Sequence, residues 1–141
     1  MVLLTRLYCT GLCLFLVGVN VASAQPVCPS QNFNTFIKAF ASDESIQHNF
    51  VATPLKLVFI DSNENGQFVQ KVKKVDIHQN QVNFAFPVYK DRRWIDGGVQ
   101  IKRRNNRFYQ VNNLMDGVVY TYDFKKKNSC WYMTRFVNPS L

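Results

Sequence analysis

The sequence predicts an α+β fold: an N-terminal helix packed on a curved, mainly antiparallel sheet, closed by one disulfide. Three observations predict it. Phe33, Phe36, Ile37 and Phe40 fall at i, i+3, i+4 and i+7, which is a single apolar stripe on a helix. The C-terminal third instead alternates with the period of a strand. Val118, Tyr120, Tyr122 and Phe124 interleave with Val119, Thr121 and Asp123, and Trp131, Met133, Arg135 and Val137 interleave with Cys130, Tyr132, Thr134 and Phe136. Helices first and a meander afterwards give a layer of sheet against helix. Finally, Cys28 and Cys130 are the two cysteines beyond residue 24, and two cysteines allow one pairing.

Residues 1–24 read as a cleavable export signal. Arg6 precedes an apolar run from Leu7 to Val21, and Ala22-Ser23-Ala24 supplies an A-x-A cleavage site before Gln25. The run is short for a membrane span, which needs about 20 apolar residues. Neither Cys9 nor Cys13 follows a lipobox, so no lipid anchor is expected. No second apolar run follows, and no transmembrane anchor is expected after cleavage. The expected location is periplasmic or secreted, an oxidising setting in which a Cys28–Cys130 bridge persists. The expected mature chain, residues 25–141, is of a size for a single α+β domain.

The elements follow in order. Pro26 to Pro29 is an extended lead-in around Cys28, and Ser30 or Asn32 caps the first helix. A second helical turn is expected at Asp43–Asn49, with Ile46 and Phe50 folding back on the core. Pro54 is read as the end of the helical part. Leu55–Ile60 is a strand, Asp61 to Gly66 a turn, and Phe68–Ile77 a second strand with Lys71, Lys73 and Lys74 on an exposed edge. Gln81–Phe86 reads as a third strand ended by Pro87, and Tyr89–Gly98 as an irregular connection. Val99–Arg103 and Arg107–Val111 are short strands around Arg104-Asn105-Asn106. The last two strands flank a turn at Lys125–Ser129.

A resemblance accompanies this order of elements. The helix Phe33-x-x-Phe36-x-x-x-Phe40-x-x-Asp43, followed by Tyr122-Asp123-Phe124-Lys125 and Cys130-Trp131-Tyr132-Met133-Thr134, resembles small exported bacterial domains of unknown function with an NTF2-like or cystatin-like cone. The likeness spans most of residues 31–137. It implies a fold and transfers no active-site residue, because that superfold serves enzymes, binding modules and immunity proteins alike.

Little in the sequence points to catalysis. There is no G-x-S-x-G and no phosphate-cradling glycine loop. His48 and His78 stand alone in sequence, with no second ligand at i+3 or i+4, so no metal and no cofactor is expected. Asp91, Asp96 and Asp116 lie beside turn residues and read as turn formers. In a cone-shaped domain Trp94, Tyr109 and Tyr120 are candidate pocket-lining residues. Aromatic core is the plainer reading of all three.

Charge is more informative. The chain holds 17 Lys and Arg against 9 Asp and Glu, and loss of Arg6 leaves the exported part with 16 against 9. Such a balance favours anionic partners. In an up-and-down meander alternate turns share one end of the sheet, so Lys102, Arg103, Arg104, Arg107, Lys125, Lys126 and Lys127 are expected to gather beside Cys130. The disulfide then brings Cys28 and the start of the first helix to the same end. Lysine and arginine at hairpin tips also guard against unwanted strand pairing. The functional expectation is a non-enzymatic binding domain, with an immunity or inhibitor protein as one form. Its partner is an acidic protein or an anionic envelope polymer. No nucleic-acid motif is present, and nucleic acid is not an expected partner. The alternative is a small-ligand-binding or enzymatic cone with an aromatic-lined pocket.

Overall fold

The computed structural model describes residues 26–79, 86–89, 94 and 96–139. The expected signal segment with Cys9 and Cys13, most of the expected strand Gln81–Phe86, and Asp91 lie outside the described residues. Helix α1 (Phe33–Ser42) and helix α2 (Glu44–Asn49) precede six strands: β1 (Val51–Ser62), β2 (Phe68–Val75), β3 (Val99–Asn105), β4 (Phe108–Met115), β5 (Val118–Lys127) and β6 (Cys130–Asn138). They form one sheet in the order β2-β1-β6-β5-β4-β3. β1 runs parallel to β6, and the other neighbours are antiparallel.

Both helices start on side-chain caps. The Asn32 side chain accepts from the Thr35 backbone N–H at 3.2 Å, and Asp43 Oδ1 accepts from the N–H groups of Ser45 and Ile46 at 2.7 and 3.3 Å. Each satisfies donors that the first helical turn leaves free. The side chain and then the backbone of Ser45 hold the Asp43 carboxyl below its ordinary range. Between the caps α1 buries Phe33, Phe36, Ile37, Phe40 and Ala41. Phe124 of β5 meets Phe33, Phe36 and Phe40 at ring distances of 5.5, 6.1 and 5.2 Å, mostly edge to face. The core is therefore an aromatic cluster between α1 and the middle strands, in the arrangement that the quadrupoles of the rings favour.

Two expectations about the strands need correction. Pro54 does not close the helical part. It lies inside β1, which begins at Val51. Pairing with β2 starts only at Leu55, and the register with β6 slips between Val51 and Lys56. The missing N–H of proline therefore costs no regular ladder bond there. In β6 the simple alternation also breaks. Phe124 pairs with Met133 but Asp123 pairs with Arg135, so Thr134 is an extra residue in a bulge. Phe136 rather than Arg135 thus joins Met133 on the buried side. Arg135 is left on the opposite side, where its Nη1 donates to Asp123 Oδ2 at 3.1 Å.

Two hairpin turns place both central residues at positive φ. Asp116 and Gly117 have φ of 53° and 78°, the paired positive values of a tight two-residue hairpin. Asn128 and Ser129 repeat the pattern with 48° and 64°. β3 and β4 turn at Asn106–Arg107, one or two residues later than the spacing suggested. Cys28 and Cys130 are bonded, with Cα atoms 5.7 Å apart, inside the reach expected of a disulfide.

Candidate functional site

The turns β3–β4 and β5–β6 lie at the same end of the sheet, as alternate turns of a meander must. The backbone N–H of Lys126 donates to the carbonyl of Arg107 at 2.9 Å. Asn106, Arg107, Lys126, Lys127, Asn128 and Ser129 together line a depression of about 660 Å³. A neighbouring groove of about 700 Å³ is lined by Lys125, Lys126 and Lys127 together with Phe50, Val51 and Tyr132. Cys28 and Cys130 line that groove too, so the disulfide forms part of its wall.

The start of α1 is tied to this end. Trp131 Nε1 donates to the Gln31 carbonyl at 2.9 Å. Lys126 Nζ reaches the same carbonyl at 3.4 Å and lies 5.4 Å from the centre of the Trp131 ring. A lysine held over an indole face gains a cation–π contact while its exposed part stays charged.

The seven predicted cations divide into two groups. Arg107, Lys126 and Lys127 share one depression, and Lys125 joins the last two along the groove. Lys102, Arg103 and Arg104 lie on the edge strand β3 and line neither hollow. Arg104 forks onto Gln110 Oε1 through Nε and Nη2 at 3.1 and 2.6 Å, and Arg103 donates to Asn106 Oδ1. Strand alternation separates them further: Arg103 pairs with Tyr109, whereas Lys102 pairs with Gln110 on the other face. The expected cluster of seven is thus a core of four with three cations along the sheet edge.

The expected pocket-lining aromatics are packed against other rings or bonded to the chain. Tyr109 stacks on Phe33 at 4.0 Å and meets Trp131 edge to face at 5.1 Å. Tyr120 stacks on Phe136 at 6.2 Å. Trp94 Nε1 donates to the Pro87 carbonyl at 3.3 Å. Nothing in the sequence singles out Asn113. It is fully buried on the same face of β4 as Val111, and neither its Oδ1 nor its Nδ2 has a partner. A lone asparagine in an alternating strand carries no signal that distinguishes it from a surface residue.

His48 and His78 do not stand apart in space. Their rings meet edge to face with centres 4.6 Å apart, and His48 Nε2 lies 3.3 Å from His78 Nδ1. Thirty residues separate them, and no sequence spacing announces a contact made by a helix end with a turn two elements later.

No protein-family model matches this sequence, and no curated protein does. Solved structures do. An NTF2-like protein from Bacteroides fragilis superposes with a TM-score of 0.55 at 19% identity, over 82% of this chain and 50% of its own. An NTF2-like protein of unknown function from Shewanella baltica gives 0.34 at 11% identity, over 74% of this chain and 86% of its own. This chain thus spans about half the length of the Bacteroides protein. At such identity the Bacteroides likeness speaks for fold alone, and with the two helices and the mostly antiparallel six-stranded sheet it shows that this domain has an NTF2-like fold.

Proposed function

We propose that this protein is an exported, non-enzymatic binding domain whose basic end engages an acidic protein or an anionic envelope polymer. The observation that supports it is the convergence of Arg107, Lys126 and Lys127 from two different hairpins on one depression. Cations brought together from separate turns raise the local potential more than the same number scattered. The adjoining groove adds apolar lining from Phe50, Val51 and Tyr132. An acidic peptide with an apolar side chain matches this mixed lining, and an immunity or inhibitor role is one form of such binding.

The test uses a fluorescent polyglutamate peptide as probe. Binding should weaken as salt rises, because exposed charges are screened beyond about 8–10 Å near physiological ionic strength. Arg107→Glu, Lys125→Glu and Lys127→Glu together should remove it. All three side chains are exposed, so circular dichroism should stay unchanged. A reversed variant that binds as before would sink the reading. The export arm is tested by intact mass after expression in a periplasm-bearing host: the product should begin at Gln25, and one retaining Arg6 would refute cleavage.

A second reading is a cone with a ligand pocket. Asn113 favours it, since a buried amide without partners is costly unless something satisfies it. Against it stand Tyr109, stacked on Phe33, and Tyr120, stacked on Phe136.

A further inference from the structure

His48 sits in the last turn of α2. Ile46, two residues earlier, packs against the core, and Phe50, two residues later, is buried. His78 sits in the turn that follows β2. Ile77 beside it is buried, and the His78 backbone N–H donates to Asp76 Oδ1 at 2.9 Å. Both backbones are therefore pinned by buried neighbours, while both imidazoles remain exposed to solvent. The rings reach each other with 3.3 Å between Nε2 and Nδ1.

That distance has a chemical meaning. Two imidazole nitrogens bound to one zinc ion at about 2.0–2.1 Å, with a tetrahedral angle between them, lie about 3.3–3.4 Å apart. Without a metal, the contact requires one ring to donate its N–H to the lone pair of the other. With one, both lone pairs turn to a common point, which exposed rings reach by small rotations about their side-chain bonds. Among the described residues no third His, Cys, Asp or Glu completes a ligand group. Water then fills the remaining positions, as in a site that stays open on one side. Cys28 and Cys130 are bonded to each other and offer no competing thiolate.

From this we infer that His48 and His78 form a two-imidazole site for a divalent transition-metal ion of the zinc, copper or nickel type. Imidazole suits these ions, whereas calcium and magnesium prefer oxygen ligands. The site joins α2 to the turn after β2, so binding holds those two elements together. His78 also lines the groove that Lys125, Lys126 and Lys127 enter, but the inference needs none of those lysines.

The test titrates untagged protein with zinc chloride by calorimetry, with magnesium chloride as control. Saturable one-to-one binding of zinc and none of magnesium is expected. Loss of an outer partner alone costs about 10–100-fold in metal affinity, so His48→Ala or His78→Ala, which removes a ligand, should cost at least as much. Zinc should also raise the melting temperature of the parent protein, since a ligand of the folded state stabilises it by mass action, and should leave both variants unmoved. Absence of saturable zinc binding overturns the inference. So does zinc binding that persists in both variants, since the ion is then held elsewhere.

Discussion

Replacing Cys28 and Cys130 together with alanine should lower the unfolding free energy by about 2–5 kcal/mol, with a matching fall in the denaturant midpoint. The bridge joins residues 102 apart. On chain-entropy grounds a loop of that size removes much freedom from the unfolded chain, which is where most of the stabilisation is expected to arise. A second contribution lies in the folded state. Cys28 leads into Gln31 and Asn32, which anchor Trp131 and cap α1. Once the bridge is gone, the Trp131 bond must hold that lead-in against fraying. Reducing the parent protein should reproduce the effect of the double substitution. Equal midpoints for oxidised parent, reduced parent and variant would show that the bridge is dispensable.

Phe124→Ala should cost about 3–5 kcal/mol, the range for removing a large ring from a packed core. Phe124 is fully buried, and its ring meets those of Phe33, Phe36, Phe40 and Phe86. Truncation opens a cavity that four rings line and that none fills without moving α1. Val72→Ala is the natural control. Val72 is 53% exposed on the edge strand β2, and its loss should stay within about 0.5 kcal/mol. Urea denaturation of the three proteins measures both. A Phe124→Ala cost as small as that of Val72→Ala would mean that the aromatic cluster does not hold the helix.

What was legible in the sequence follows from range of interaction. The α1 stripe and the turn at Asp116 rest on residues a few positions apart and stand where the pattern puts them, and of the two cap residues that the sequence offers, Ser30 and Asn32, it is Asn32 that caps. The shared end of the basic turns follows from meander topology, so Arg107 and Lys126 could be placed together without coordinates. The break in β6 could not, because a bulge at Thr134 is set by how Phe124 and Met133 pack across strands. Pro54 misled for a related reason: a proline signals an end to a helix, but a strand tolerates one where its ladder already slips. The His48–His78 contact and the buried amide of Asn113 depend wholly on tertiary placement.

The parallel pairing of β1 with β6 bears on when the fold can form. β1 emerges from the ribosome early and β6 last, yet the two are neighbours in the sheet, with β6 standing between β1 and β5. Until residues 130–138 exist, the β1–β2 hairpin has no partner on its inner edge, and the β3–β5 meander has none either. Two half-sheets must wait for one strand to join them. Such long-range pairing makes for slow folding, since chain entropy is lost before the contacts repay it.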